Sequence, residues 1–512
     1  MSTIYECSCI KFISFSNSCT QTILLCFKLS LRLLRGQAYD GASNMLGRKS
    51  GVAKLIKDVQ KKALHSHCLG HSTSLAVKSI DDVTRGMRDC MDACMEIVKL
   101  IKFSPKRETM LETLKMRDLI MAESHEDLED NTEIDTPLKI KKFSHARWTM
   151  RHVGFTRIKE NYQALLKLWE EIWDHERSGL DSQTKARIVG ASTKMKTFDF
   201  LFYLELAIVV HSQTDALSQT LQDKTMTLLE GKTLAKGTMQ CLRDVRNENM
   251  FNLFYAKVLK RQHQLCISDP KLPRRTRNMR DYCQMQRNVQ VDGLESASQP
   301  FQHDNVSEHY KHQHCECIDT LVANLDDRFQ QDTIEILSGV EEFFIHCLKS
   351  PNAVNEEVYD DFLSSAGMVH FQEDVDLLKL KHEFVQLHFR FNNHASMNNF
   401  HDIIKFFEIV VSSDYNHKLF MPNIIDLLKL VMIHPATTAS CERSFRLSKL
   451  IKSDVRSTMT HERFNHLCLI KHYKHLLSEV PVESLMQEFV SVNDRRKKHF
   501  GRVTRDKMKA II

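Results

Sequence analysis

The sequence predicts a mostly helical protein with a smaller α/β portion near its N terminus. Nine prolines and fifteen glycines in 512 residues disfavour an all-β or turn-rich repeat architecture. Between residues 36 and 85, strand-like and helix-like stretches alternate, which is typical of an α/β layer. From 86 to 420 the apolar spacing is largely helical. We therefore expect an α/β portion that is followed by a large all-helical region.

The α/β portion is predicted from two short apolar stretches that each lead into a helix. Leu33–Tyr39 predicts a strand that ends at Asp40, and a helix follows through Val52–Ile56. Ala63–Cys68 predicts a second strand, and the next helix is expected from Ser72 onward.

Changes in composition divide the chain into five predicted regions. Within the insertion, the apolar stretch beginning at Phe198 predicts one helix and Leu217–Leu221 predicts the start of another. The predicted regions are a leader (1–35), a partial core (36–85), a helical insertion (86–420) with an acidic linker (123–137) and a basic loop (271–287), a C-terminal helical segment (421–480) and a basic tail (481–512).

Overall composition excludes several classes of protein. The net charge of +6 is mild, so it permits nucleic-acid contact without arguing for it. The 15 cysteines are scattered without the spacing of a secreted disulfide framework, which indicates a reducing compartment. The longest apolar run of the leader, Ile23–Phe27, is too short for a signal sequence or a membrane span. We expect neither a membrane partner nor a small-molecule substrate.

The C-terminal segment carries more apolar surface than its helices can bury in one another. Ile424, Leu427, Leu428 and Val431 follow helical spacing, and the opposite face of the same helix is apolar too. Pro435 ends this helix, since proline disfavours helical geometry in the residue before it. Two further helices are expected, one near Glu442 and one beginning near Thr460 that buries Phe464, Leu467, Cys468 and Ile470. The partner of these surfaces is either the rest of the chain or a second copy.

The order of motifs in this segment resembles the C-terminal dimerisation segment of hAT-superfamily transposases. After Pro435 come Ser440–Phe445 (SCERSF), Lys449–Lys452 (KLIK) and Arg456–Met459 (RSTM). The segment is most similar to the domesticated relatives around the zinc-finger MYM-type protein 1 group. The resemblance implies a homodimer. The residues expected to pair are Ile424, Leu427, Leu428, Val431, Phe445, Leu447, Leu450, Ile451, Phe464, Leu467 and Ile470.

Three upstream blocks resemble the same superfamily. Gly36–Met45 (GQAYDGASNM) resembles the block with the second catalytic aspartate of an RNase H-like core. His67–His71 (HCLGH) is similar to the block with a Cys-x-x-His signature, and Ala146–Arg151 (ARWTMR) to the block that opens a helical insertion. The resemblance implies a partial RNase H-like α/β core that is interrupted by a large all-helical insertion. The zinc fingers that commonly precede this core in relatives have no counterpart before Gly36. We therefore expect an N-terminally shortened member of the superfamily.

Active members of the superfamily use three carboxylates to hold two Mg²⁺ ions for phosphoryl transfer. The resemblance assigns the second carboxylate to Asp40 and the third to Glu442. Residues 1–39 contain no aspartate, and Glu6 lies in no matching motif. We therefore expect no catalysis and no bound cofactor. Both acids also have simpler interpretations, because Asp40-Gly41 is a common turn and Glu442 suits a helix N-terminus by about 0.3–1 kcal/mol.

A basic stretch beside the acidic linker is the candidate DNA contact. Arg147 offers a guanidinium to phosphate and Trp148 an indole for stacking on a base, although a tryptophan beside arginine also anchors helices to a core. Cys68 and His71 are expected next to the ancestral active site, and zinc binding with His67 stays open. The candidate DNA-binding residues are Lys139, Lys141, Lys142, Arg147, Trp148 and Arg151.

These observations predict a non-catalytic protein derived from a hAT transposase. Its expected activities are pairing with a second copy and nonspecific DNA binding. One alternative is a DNA transposase with a two-metal mechanism, if an N-terminal part supplies the first aspartate. A second alternative is a protein-interaction scaffold without DNA affinity. The basic loop and tail favour the nucleus, with the cytoplasm as the alternative.

Overall fold

The computed structural model is mostly helical, as the sequence predicts, and divides into two compact units. Unit 1 extends to Thr438 and unit 2 begins at Ala439. The sequence predicts a boundary at residue 421, but the two units divide after Thr438. The reason is that the helix after residue 421 packs in the core of unit 1. The structure describes residues 30–39, 41–47, 50–123, 139–140, 151–175, 179–223, 225–272, 305–350, 355–391, 403–412, 417–453, 456, 458–479 and 481–500.

The α/β portion is built on two parallel strands. Strand β1 (Gly36–Tyr39) pairs with β2 (Leu64–His67), so that Gly36 lies opposite Leu64 and Tyr39 opposite His67. A 3₁₀ helix (Leu31–Leu33) precedes β1, and helices α1 (Ser43–Leu46) and α2 (Val52–Val59) connect the strands. Both predicted strands are present, although each is shorter than predicted. Among the described residues the sheet has these two strands, so an RNase H-like core stays a prediction.

The helical insertion continues the polypeptide directly from β2. Its helices have buried apolar residues at helical spacing, and most of them contribute to one continuous core. They are α3 (Leu69–Val83), α4 (Arg85–Lys102), α5 (Pro105–Glu123), α6 (Arg151–Glu160), α7 (Tyr162–His175), α8 (Ser182–Met195), α9 (Phe198–Thr220), α10 (Leu228–Val245), α11 (Glu248–Gln264) and α12 (Val306–Phe329).

Helix α9 is the central element of this core. Thr197 caps it by accepting a hydrogen bond from the backbone N–H of Phe200 at 3.3 Å. The predicted new helix at Leu217–Leu221 is wrong, because α9 continues without a break to Thr220. The next helix begins at Leu228, where Thr227 and Glu230 cap each other's backbone N–H groups.

A second group of helices completes unit 1 with an aromatic core. The Phe343 and Phe362 rings stack at 3.8 Å between centroids, and Phe344 meets Phe406 edge to face at 4.9 Å. These contacts join helices that are distant in sequence. The helices are α13 (Asp332–Lys349), α14 (Glu356–Ser364), α15 (Ala366–Phe371), α16 (Leu377–Phe391), α17 (Ile403–Ser412), α18 (His417–Phe420) and α19 (Pro422–Met432).

Within its described residues, unit 2 has four short α-helices with few buried side chains. Thr460 caps the second of them by accepting from the backbone N–H of Arg463 at 3.3 Å, which matches the predicted start of that helix. The elements are α20 (Ala439–Ile451), α21 (His461–His472), a 3₁₀ helix (Lys474–Glu479), α22 (Val482–Ser491) and α23 (Asp494–Phe500).

Three predicted regions lie largely or wholly outside the described residues. They are the leader before residue 30, most of the acidic linker, and the basic loop after Leu272. In the part of the chain that the structure covers, none of the helices combines the length and the apolar character needed to cross a membrane.

Candidate functional site

The N-terminus of α19 is fixed by a buried carboxylate from α16. One oxygen of Glu383 accepts from the backbone N–H of Asn423 at 3.3 Å and from its side-chain amide at 2.7 Å. The other oxygen accepts from the backbone N–H of Ile424 at 2.8 Å. Pro422 occupies the first turn, where its missing N–H costs nothing. A negative charge at this end also complements the helix dipole, so Glu383 holds α19 in place.

The four pairing residues predicted on α19 lie inside unit 1. Ile424, Leu427, Leu428 and Val431 are all at most 5% exposed and belong to the unit's continuous core. The apolar face of α19 therefore finds its partner in the chain's own helices. For these four residues the structure corrects the prediction of a pairing surface, because a buried side chain offers no surface to a second copy.

After α19 the chain crosses the start of β1. The imidazole of His434 lies 2.8 Å from the carbonyl oxygen of Leu430 and 3.0 Å from that of Arg35. Gly36 allows this approach, because a Cβ at residue 36 would lie 2.8 Å from the His434 ring. Burial lowers the pKa of His434 to about 4, so the ring is neutral at pH 7.

The same crossing segment then contacts the end of β2. The backbone N–H of Leu69 donates to the carbonyl of Ala436 at 3.0 Å, and that of Thr438 donates to the Cys68 sulfur at 3.2 Å. The Thr437 hydroxyl lies 3.9 Å from the same sulfur. The polypeptide that follows α19 therefore returns to the α/β portion, as the sequence predicts.

The carboxyl ends of the two strands bring part of the predicted site together. The backbone N–H of Cys68 donates to the carbonyl of Tyr39 at 3.1 Å. The His67 and His71 rings lie 5.6 Å apart between centroids, and a Cβ on Gly41 would lie 3.2 Å from the His67 ring. Cys68 and His71 thus lie beside the segment that continues from β1. Their catalytic ancestry and zinc binding stay predictions.

The predicted carboxylate pair is only partly described. Asp40 lies outside the described residues, and Glu442 is exposed in the first turn of α20, where it complements the helix dipole. Over the ranges that the structure describes, no group of three or more His, Cys, Asp or Glu side chains is placed to hold a metal ion. Mg²⁺ requires several oxygen ligands, and the described side chains do not assemble them.

Arg151 does not belong to a DNA surface. It is buried at the start of α6, and its guanidinium lies 3.5 Å from the carboxylate of Asp81 on α3. Beside it, Asp215 of α9 accepts from the backbone N–H of His152 at 2.8 Å. Burial lowers the pKa of Arg151 and raises the pKa of Asp215 to about 6. The predicted role of Arg151 in DNA contact is therefore wrong, because the residue ties three helices together.

The other candidate DNA-binding residues are mostly not described. Lys139 is exposed, in agreement with a surface role. Lys141, Lys142, Arg147 and Trp148 lie outside the described residues. Contact of these residues with DNA stays a prediction.

The remaining pairing residues lie in unit 2, and most of them are accessible. Phe445, Leu450 and Ile470 are exposed, Leu450 by 68%. Leu447, Phe464 and Leu467 are half-buried, and Ile451 is buried.

Helix α21 differs from its predicted packing. Its sequence favours burial of Phe464, Leu467, Cys468 and Ile470, but none of its residues is buried. Leu469 and Tyr473 are also exposed, and neither was among the predicted pairing residues. The helix therefore keeps its apolar side chains accessible in a single copy of the chain.

Comparison with known proteins finds a family match for the C-terminal part of the chain. Residues 386–473 match the hAT family C-terminal dimerisation region, which here spans the end of α16 through α21. The chain therefore carries the dimerisation region of the hAT family, and its wider similarity is consistent with a hAT-derived protein.

Two relatives extend the similarity to most of the chain. The chain is similar to the "52 kDa repressor of the inhibitor of the protein kinase" of Mus musculus, with 21% identity over 461 residues. The protein of the same name from Homo sapiens is 20% identical over 450 residues. Both matches cover 86% of this chain and 53% of the relative. The chain therefore spans about half the length of the curated relatives it matches.

Proposed function

We propose that this chain pairs with a second copy through the exposed apolar side chains of α20 and α21. The observation that carries the proposal is α21, an ordered helix with no buried residue inside a family dimerisation region. The exposed set is Phe445, Leu450, Leu469, Ile470 and Tyr473.

Burial of this set would supply a substantial driving force. The five side chains together expose on the order of 500 Å², and apolar burial contributes roughly 25 cal/mol per Å². Apolar surfaces of this size on a soluble protein usually mark an interaction site. A second copy offers the same surface, so a two-fold arrangement buries both at once.

In this proposal α19 is not part of the pairing surface. Glu383 fixes the N-terminus of α19, and the segment after α19 is held by Arg35, Leu69 and Cys68. These contacts hold α19 and the segment after it within unit 1. The four buried α19 side chains therefore stabilise the core of unit 1.

The proposed role does not include DNA cutting. The relatives are named as a repressor, which favours a regulatory rather than a nucleolytic role. The alternative is a transposase in which Asp40 and Glu442 act with a third carboxylate. Metal-dependent nicking of DNA that disappears in Asp40→Asn would establish that alternative.

Nonspecific DNA binding is the second activity that we assign to the chain. Lys139 is exposed, and Lys141, Lys142, Arg147 and Trp148 follow within ten residues of it. Lysine and arginine bind phosphates through charge, so retention on DNA should weaken as salt rises. Loss of this retention in a Lys141→Ala, Arg147→Ala variant would support DNA binding, and unchanged retention would favour a scaffold without DNA affinity. The same basic character favours a nuclear location, with the cytoplasm as the alternative.

Pairing is tested by sedimentation of the full chain over a range of concentrations. Leu450→Asp and Ile470→Asp each place a charge in the proposed interface and should convert dimer to monomer. Leu378→Asp is the matched control, since Leu378 is 77% exposed on α16 but lies outside residues 386–473. A wild-type chain that stays monomeric throughout, or an Ile470→Asp variant that pairs normally, would overturn the proposal.

A further inference from the structure

Helix α22 presents an apolar stripe beyond the region that the family model covers. Val482, Leu485, Phe489 and Val492 recur at intervals of three, four and three residues, which places them on one face. They are between 47% and 65% exposed. Val490, one position around the helix, is buried. The helix thus has one face covered by the chain and a second apolar face that is accessible.

Helix α23 holds this stripe in a fixed orientation. The guanidinium of Arg496 lies 4.1 Å from the centroid of the Phe489 ring and donates to the Phe489 carbonyl at 3.2 Å. The Phe500 ring meets the same phenylalanine at 5.9 Å. Helices α22 and α23 therefore pack together at Phe489, whose ring contacts α23 and stays 47% exposed together with the rest of the stripe.

The two arms of the hairpin carry opposite charge. The only charged residues of α22 are Glu483 and Glu488. Helix α23 contains the basic run Arg495–Lys498 after a single acid, Asp494. A hairpin of this kind is complementary to a copy of itself, because two-fold symmetry can place the acidic arm of each copy beside the basic arm of the other.

The area of the stripe also fits a second copy. The exposed set on α20 and α21 provides on the order of 500 Å², below the about 800 Å² that each partner buries in a stable interface. The four residues of α22 add roughly 400 Å². The hairpin follows within nine residues of Tyr473, where the family match ends, and Leu476 is exposed between them. The stripe therefore lies close in sequence to the proposed pairing surface, and the two areas together reach the required range.

We infer that the α22 stripe is a second part of the dimer interface and packs on the α22–α23 hairpin of another copy, with the acidic arm of each copy beside the basic arm of the other. The inference rests on the proposed function, since it requires that the chain pairs. It adds that residues 386–473 alone bind a second copy more weakly than the full chain does.

The first test measures the dimer dissociation constant of the full chain by sedimentation. Leu485→Asp and Val492→Asp should each raise it about tenfold or more, as expected for residues at the centre of an interface. Ser484→Asp is the matched control, since it adds the same charge to the same helix beside the stripe and should change the constant less than twofold. Circular dichroism and thermal unfolding check that all variants fold.

The outcomes separate this inference from the proposed function. If Ile470→Asp disrupts the dimer while Leu485→Asp and Val492→Asp leave it unchanged, the family region pairs without the stripe and the inference is overturned. If the wild-type chain is monomeric at every concentration, both are overturned.

A charge exchange tests the partner and its orientation. One variant carries Glu483→Lys with Glu488→Lys, and the other carries Arg495→Glu with Lys498→Glu. Each alone should pair about three- to tenfold more weakly, because like charges then face each other. An equimolar mixture should regain wild-type affinity as a heterodimer. A mixture that still pairs weakly would overturn this placement of the charged arms. Variants that pair normally but lose retention on DNA or on anionic vesicles would also overturn it.

Discussion

Replacing Glu383 by glutamine should loosen the anchor of α19. The wild-type carboxylate accepts three N–H groups, from the backbone and side chain of Asn423 and from the backbone of Ile424. A glutamine keeps the volume but has one acceptor oxygen, so at least one buried N–H loses its partner. Hydrogen bonds to a charged group contribute about 1.5–3 kcal/mol, and the helix dipole adds up to about 1 kcal/mol. We therefore expect a local loss of about 2–3 kcal/mol.

Amide hydrogen exchange measures this loss where it occurs. A local destabilisation of 2–3 kcal/mol should accelerate exchange across Pro422–Met432 by roughly 30- to 150-fold. Glu357→Gln is the control, since Glu357 is an exposed glutamate of α14 and should leave α19 protection unchanged. Equal protection of α19 in Glu383→Gln and in the wild type would refute the anchoring role. So would a loss of protection spread evenly over the chain, because that would indicate a global effect.

Three further predictions test particular contacts. Gly36→Ala should lower the unfolding temperature, because its Cβ would lie 2.8 Å from the His434 ring and reduce the free energy of unfolding by about 1–3 kcal/mol. Gly237→Ala is the control, since its Cβ would meet no atom within 4 Å and the unfolding temperature should not fall. Equal unfolding temperatures of the two variants would count against the contact with His434. Arg151→Met should lower the free energy of unfolding by about 3–5 kcal/mol, because the half-buried Asp81 and the buried Asp215 lose their neighbouring cation. The salt dependence of any DNA retention should stay unchanged, and a shallower dependence would support a DNA role for Arg151. Burial lowers the pKa of His314 to about 4, below its usual 6.5. Between these pH values the unfolded state therefore binds more protons than the folded state. The contribution of His314 to the free energy of unfolding, up to roughly 3 kcal/mol, is lost as pH falls from 6.5 to 4. His314→Phe should remove this part of the acid sensitivity, and identical pH profiles of unfolding would contradict the burial argument.

The sequence predicted elements where local signals and motif order agreed. The strands at 36–39 and 64–67 were expected from short apolar stretches beside turn residues, and Thr460 was a recognisable start for α21. The return of the chain after α19 to the α/β portion was expected from the order of blocks alone. The contacts that achieve it, such as Thr438 to Cys68, join residues 370 positions apart and leave no local signal.

The failures occurred where burial depends on distant partners. Arg151 lies in a basic string, but Asp81 and Asp215 come from helices far away in sequence and convert it into a buried ion pair. The apolar spacing of α19 could indicate a core or an interface, and only packing against α16 and its neighbours decides for the core. Helix α21 has a similar apolar content and stays accessible. Spacing identifies an apolar face without identifying what covers it.

The hydrogen bond from Thr438 to Cys68 lies one peptide bond before unit 2 begins. The bond also closes over the turn where β2 ends and α3 begins, and Cys68 itself is only 2% exposed. The Cys68 thiol should therefore resist a small alkylating reagent while the segment after α19 stays on the α/β portion. Its reactivity then reports detachment of that segment inside unit 1.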